Sequence, residues 1–386
     1  MLTGLDESLH HQTSLTFDHV HTSDHRFYDR QLITGFRPDG EAGFLAGITV
    51  FKNMNVIEGY VIAQSHSRRQ INVRFTRPLR PIEVGMNVGI GPLRLEILEP
   101  LERTRLVLES GEFPLALDLT FEGTIPAHLE NPHVGRMDGR THSDYLRYHQ
   151  IGRVSGWITI EGERFDAAEW FSWRDHSWGV RPVVGGFEPF TGTKTVGGVA
   201  SASRTGGKGL FLIYVGFSNR HQAGGVQIIE DGEGKRIYLD GEVRQIGGEA
   251  IPVAAARHEI VFLPGTRVFE TANLTLGLAN GETWQLKARA VGRPWAFCGG
   301  GTDGGFFDGN GQGVWRGADL ITEADVYDVT HPERVIGPGG RLILPKHREQ
   351  LTVCEINGLV GSAYVPMFVI GDQPRFGLPP RPHVET

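Results

Sequence analysis

Apolar and polar residues alternate with a period of two along much of the chain. Leu115, Leu117, Leu119 and Phe121 alternate with Ala116, Asp118, Thr120 and Glu122. Ile71, Val73 and Phe75 alternate with Asn72, Arg74 and Thr76. Trp284, Leu286, Ala288 and Ala290 alternate with Thr283, Gln285, Lys287 and Arg289. Successive side chains of a strand point to opposite faces, so each run predicts a strand with one apolar face. Turn chemistry punctuates the runs: PDG at 38–40, EGE at 161–163, DGEG at 231–234, DG at 240–241 and ANGE at 279–282. Helical patterning is scarce. The segment SDYLRYHQI predicts one short helix with Ser143 as its cap. Many antiparallel strands must close into barrels or stack as sandwiches to hide their edges, so the expected fold class is all-β, with little helix.

At 386 residues the chain exceeds one typical core, and two domains are the default. Its 53 glycines and 21 prolines are spread between short apolar runs, which fits a turn-rich β protein rather than collagen or disorder. Alternation breaks in RPVVGGFEPFTGTKTVGG, placing a boundary near 182–196, with one β domain over 1–185 and a second over 186–386. NPHVGRMDGRTH, from Asn131, is a second candidate boundary or a long loop of the first domain, and the Pro-rich tail GDQPRFGLPPRPHVET reads as loosely docked or frayed.

A net charge of -7 with no basic arm argues against nucleic acid as a partner. The Gly-rich CGGGTDGG does not lie between a strand and a helix, so it reads as a loop, and no cofactor is expected. No apolar run approaches the ~20 residues of a membrane span, and the first residues lack a secretory pattern, so a cytoplasmic protein is expected. Cys298 and Cys354 are solitary and read as buried thiols, with a single disulfide left open.

The densest chemistry is WFSWRDHSWGVRP, from Trp170 to Pro182. In an ideal strand Glu169, Phe171, Trp173 and Asp175 share one face, and Trp170, Ser172, Arg174 and His176 the other. Asp175 and His176 then point apart unless a bulge follows Trp173. His176, as a histidine, can pass a proton, and Trp178 offers an apolar wall whose π face stabilises a cation. Arg174, Asp175 and Arg181 could equally rivet a barrel end. Glu169 could face a cavity as an acid of raised pKa, or meet solvent or Arg164. RFYDR, Arg26 to Arg30, reads as a surface-to-core edge with an Arg–Asp pair, and PKHREQ, Pro345 to Gln350, as a solvated loop. Among His10, His11, His19, His21 and His25, the His19-Val20-His21 pair has metal-ligand spacing, yet the residues after it fit poorly, and an exposed polar segment is expected. Ser172 and Ser177 lack the turn of a hydrolase nucleophile.

The core Asp175-His176-Ser177-Trp178-Gly179 resembles the signature of the AttH-like and carotenoid 1,2-hydratase-like superfamily. The stretches GRVSGWITIEGERF and DHRFYDRQLITGFRPDGEAGFLAGITVFKNMNVIEGY resemble a bacterial branch of that group. The resemblance implies two calycin (lipocalin-like) β domains with a cavity near the motif, in a group that includes hydratases and resembles pericyclase-type cyclases. The hydratases pair this motif with a downstream Tyr-x-Asp. Here Tyr238-Leu239-Asp240 lies further along and runs into Gly241, so it reads as a hairpin turn.

The expectation is a cofactor-independent enzyme that moves a proton on a small apolar molecule of terpenoid, steroid or polyketide type. Hydration, dehydration, isomerisation and cyclisation all fit. His176 would be the acid or base, with Asp175 tuning it, and Trp178, Trp173, Trp170 and Glu169 would line the substrate. The alternatives are a non-catalytic lipocalin-like binder of a hydrophobic ligand and a carbohydrate-binding sandwich using exposed tryptophans. Oligomeric state is open, a homodimer included.

Overall fold

The computed structural model describes residues 3–378 except 8, 67–68, 83–84, 138, 183, 186–208, 297, 299–307 and 346. Most of the boundary near 182–196, the CGGGTDGG loop after Cys298, and the last eight residues of the tail lie outside the described residues.

The fold is all-β and antiparallel. The first half of the chain forms β1 (Phe27–Phe36), β2 (Gly43–Phe51), β3 (Val56–Gln64), β4 (Arg69–Pro78), β5 (Val88–Ile90), β6 (Leu93–Glu99), β7 (Arg103–Leu108) and β8 (Leu115–Gly123). It continues with the short β9 (His128–Leu129) and β10 (His133–Met137), then the long β11 (Arg140–Ile160) and β12 (Glu163–Val180). The second half forms β13 (Leu210–Ser218), β14 (Gln222–Asp231), β15 (Arg236–Gln245), β16 (Ile251–Phe262), β17 (Phe269–Leu278) and β18 (Thr283–Ala296). It then gives β19 (Ile321–Asp328), β20 (Val335–Ile336), β21 (Leu342–Ile343), β22 (His347–Ile356) and β23 (Leu359–Ile370).

Strands β13–β18, β22 and β23 close into an eight-stranded barrel, which leaves no edge. Its core is the apolar set that alternation predicts, including Trp284, Leu286 and Ala288 of β18. The remaining strands form one fifteen-stranded sheet, ordered β21-β20-β19-β4-β3-β2-β1-β12-β11-β8-β7-β6-β5, with β9 and β10 paired to β11. The segment β19–β21, from the second half of the sequence, is thus built into the sheet of the first half, where Ile321–Asp328 pairs with β4. The alternating runs at 115–122 and 71–76 fall in β8 and β4 as expected. In β4, however, Asn72 and Arg74 are buried along with Ile71 and Val73, because Asp325 of β19 and the carbonyls of Ala296 and Cys298 meet the polar side chains of their face.

Three readings are corrected. SDYLRYHQI is not a helix but the first part of β11, paired with β12 from Asp144 to Ile160. It lacks strand alternation because both faces are used: Tyr145, Arg147 and His149 point one way, Leu146, Tyr148 and Gln150 the other. PKHREQ is not a solvated loop. From His347 it is β22, with Arg348, Glu349 and Gln350 buried and Glu349 accepting the Tyr364 hydroxyl. DG at 240–241 is not a turn but the middle of β15, because Asp240 is held across to the first sheet, as described below. NPHVGRMDGRTH lies within the first sheet as β10 and its hairpin into β11.

Candidate active site

The geometry of the WFSWRDHSWG stretch begins with one bulge. In β12 Ala168 and Glu169 oppose the single residue Ser155 of β11, between the pairs Gly156–Ala167 and Val154–Trp170. Glu169 takes a left-handed φ of 58° there. The bulge switches which parity faces inward: Phe165 and Ala167 are interior before it, Trp170 after it. Glu169 is therefore turned out to solvent, accepting from Ser155 Oγ at 3.2 Å and lying near Arg153, rather than sharing the face of Trp173. Beyond the bulge the pairing is regular up to Val180, so Asp175 and His176 lie on opposite faces of the sheet.

His176 and Trp178 share the inner face of the first sheet with Trp170 and Arg174. The imidazole Nε2 is 2.7 Å from Asp29 Oδ1, and its ring meets Trp178 edge-on at 5.2 Å and Tyr148 edge-on at 5.3 Å. Asp29 reaches it because β1 pairs with β12 in a register that sets Asp29 opposite Trp178 and Gln31 opposite His176. RFYDR is thus no edge with an internal Arg–Asp pair. Arg26 binds Asp24, Asp29 binds His176 and Arg30 binds Asp175. A quarter of the His176 side chain is exposed, so the ring is reachable from outside. Leu129 of β9, opposite Tyr148, and Val134 of β10 add exposed apolar side chains on this face of β11. Deeper in, Arg174 donates to Gln150 Oε1 at 2.7 and 2.8 Å and to Thr104 Oγ1 at 3.1 Å, with its guanidinium 5.0 Å over the Phe121 ring and 5.7 Å over the Tyr148 ring. Burial pushes the Tyr148 phenol above its usual range and depresses the Arg174 pKa.

Trp173 and Asp175 face the barrel. Trp173 Nε1 donates to Tyr214 Oη at 2.9 Å, and its ring lies 5.4 Å from that of Tyr364. Asp175 is buried against Arg30, with contacts of 3.3 and 3.4 Å. Trp170 and Trp173 are buried on opposite faces, so the motif offers no flat exposed aromatic platform.

Beside Trp173 lies a polar network that the sequence did not disclose. Glu130 accepts from Arg147 Nε and Nη2 at 2.8 Å each, from His133 Nε2 at 2.8 Å and from His149 Nδ1 at 3.0 Å. Burial alone would raise the Glu130 pKa; Arg147 and the two imidazoles outweigh it and hold the carboxyl well below the usual range. Arg147 also reaches Gln227 of the barrel at 2.7 Å. His128 bridges Asp240 at 2.7 Å and Glu242 at 2.9 Å, and Asp240 accepts from Asn131 Nδ2 at 2.7 Å. Tyr238 donates to the Asn131 carbonyl at 3.0 Å and stacks on His133. The Tyr238-Leu239-Asp240 stretch therefore ties the barrel to the first sheet. At Gly225 of the barrel a Cβ would come within 2.5 Å of Tyr214 Oη and 2.8 Å of His149 Nε2, so only glycine allows this approach.

The His128 bridge predicts a pH effect. Burial lowers a histidine pKa, but the hydrogen bonds to Asp240 and Glu242 outweigh it and raise His128 to about 9, above the ordinary 6.5. Its stabilisation is fully present below about pH 6.5 and is lost as pH rises through about 9, at roughly 3 kcal/mol for a shift of this size. Urea titrations at pH 6 and pH 9.5 should show that loss, and His128→Gln should flatten most of it.

Among the described residues no group of three or more His, Cys, Asp or Glu side chains is placed to hold a metal ion. His19 contacts Thr16 at 3.1 Å and His21 packs edge-on against Phe27. Cys298 and Cys354 are buried and are not joined to each other by a disulfide. No helix among the described residues is long and apolar enough to cross a membrane.

Sheet, barrel and the residues gathered on them define a two-part, all-β protein of calycin type. Residues 2–332 match the model of a family of unknown function, DUF8625, and the chain belongs to that family. In fold it is similar to a protein of Nitrosomonas europaea named as an AttH, with a TM-score of 0.52 and 13% identity over 89% of this chain and 92% of that one. CghA with Sch210972 aligns at a TM-score of 0.49 and 10% identity, over 90% of this chain and 89% of that one. Kievitone hydratase from Nectria haematococca aligns at 0.40 and 9%, over 89% and 88%. The AttH-like resemblance expected from Asp175–Gly179 is met by the fold. Comparison with curated proteins finds no sequence match.

Proposed function

We propose that the protein is a cofactor-independent enzyme that moves a proton on a small, mostly apolar molecule of terpenoid, steroid or polyketide type. His176 is the acid or base. The observation that carries this reading is the 2.7 Å contact between His176 Nε2 and Asp29, made at a reachable ring flanked by Trp178 and Tyr148. A carboxylate accepting from Nε2–H fixes the tautomer and leaves Nδ1 as the exchanging nitrogen, so Asp29 takes the role first expected of Asp175. The indole and phenol faces suit a passing carbocation, and Leu129 and Val134 suit an apolar substrate at the entrance. Hydration, dehydration, isomerisation and cyclisation share this one proton step.

The test is incubation with a panel of such molecules in deuterated water, read by mass spectrometry. Turnover should place one solvent deuteron in the product of a protonation. His176→Ala should reduce the rate by about 10²–10⁴-fold, and Asp29→Asn should reduce it less, with both variants folded. Ligand uptake without product, equal in parent and His176→Ala, would favour the binding-protein reading instead.

A further inference from the structure

A second cluster of polar side chains lies on the barrel-facing side of the first sheet, away from His176. Arg30 and Ser177 are direct partners across β1 and β12, and Tyr28 precedes Arg30 by two residues on the same face. All three residues are buried. Tyr28 Oη, Arg30 Nε and Ser177 Oγ are buried atoms with no hydrogen-bond partner among the described residues. Each can donate. The carboxylate beside them, Asp175, is already engaged by Arg30 Nη2, and at long contacts of 3.3 and 3.4 Å. Buried donors in native proteins are almost always satisfied, so three together on one face call for an acceptor from outside the chain.

Charge narrows what that acceptor is. Arg30 and Asp175 cancel, and so do Arg147 and Glu130. Arg181 lies with its guanidinium 5.2 Å over the Tyr28 ring and forms no ion pair among the described residues. Around Tyr28 the packing is apolar, from Phe51, Val56 and Val184, with Tyr145 against it. Arg30 keeps 10% of its side chain exposed, so the cluster is not sealed.

We propose that Tyr28, Arg30 and Ser177 form a binding subsite for a carboxylate on a small apolar body. Its oxygens accept from Arg30 Nε and the two hydroxyls, its charge is balanced by Arg181, and its apolar part lies against the Tyr28 and Phe51 side. A guanidinium with two hydroxyls is a suitable cradle for a two-oxygen anion.

Benzoate is the probe and benzamide its uncharged counterpart. Benzoate should raise the melting temperature in a concentration-dependent way and give a calorimetric binding isotherm, and benzamide should do neither. The double variant Tyr28→Phe with Ser177→Ala removes only hydroxyls that lack a partner among the described residues. Its melting temperature without ligand should match or exceed that of the parent, while its affinity for benzoate should fall on the order of tenfold or more. His176→Ala should bind benzoate as the parent does, which separates this site from the proton-transfer site. The proposal fails if benzoate does not bind, if benzamide binds equally well, or if the double variant binds benzoate like the parent. A clear loss of ligand-free stability in the double variant would also overturn it, because the hydroxyls would then be serving internal partners.

Discussion

Glu130→Ala is expected to lower stability by about 3–5 kcal/mol, the cost of stripping a buried cation of its carboxylate. That is a large part of the roughly 5–15 kcal/mol that holds a domain folded. The magnitude follows from what would be left behind. Arg147 is largely buried and keeps only Gln227 of its side-chain partners, and His133 and His149 each lose an acceptor. Because the folded Glu130 pKa lies below its unfolded value, its stabilisation is present above the ordinary Glu value near ~4.3 and is lost as pH falls through the depressed folded value. Denaturant titration at pH 7 checks the size. Glu130→Gln should lose less than Glu130→Ala, since an amide oxygen still accepts from Arg147. Pairing Glu130→Leu with Arg147→Met should recover part of the loss, because neither partner is then stranded. A Glu130→Ala protein as stable as the parent would mean that the network contributes nothing to holding sheet and barrel together.

How much of this was legible follows from what each strand buries. The runs in β8 and β18 show their alternation because one face meets a core and the other is polar and more exposed. β11 did not, because its Tyr, Arg and His side chains are partly or fully buried on one face and its Leu, Tyr and Gln on the other, and an element covered on both sides carries no period-two signal. For the same reason the network residues Arg147 and His149 were hidden within a stretch read as a helix. Arg348 and Glu349 looked like solvent residues only because charge is usually exposed. The motif itself was found as a motif, and the opposed directions of Asp175 and His176 follow from simple strand parity. Asp29 was out of reach. Its contact with His176 spans 147 positions and depends on the β1–β12 register, which nothing local in RFYDR encodes. Even the outward turn of Glu169 comes from a bulge in β12 against Ser155, a two-strand property that a single strand cannot show.

Asp175→Ala is expected to cost about 3–5 kcal/mol, whereas His176→Ala, one residue on, should cost under about 1 kcal/mol. The two side chains leave the same strand in opposite directions. Asp175 goes into the buried seam, where Arg30 depends on it: burial opposes the Arg30 charge, and Asp175 outweighs burial to keep it. Without Asp175 that guanidinium has no carboxylate among its hydrogen-bond partners, and its Nε has no partner among the described residues. His176 instead goes to the reachable end of the inner face, and its carboxylate partner Asp29 is itself half exposed, so water replaces either group at little cost. Activity should divide the other way. A temperature-stable His176→Ala that is slow, set beside an Asp175→Ala that is unstable yet turns over normally while folded, would separate the proton carrier from the structural ion pair. Equal losses of rate in both, measured well below their melting temperatures, would place Asp175 in the chemistry and count against Asp29 as the sole carboxylate of the site.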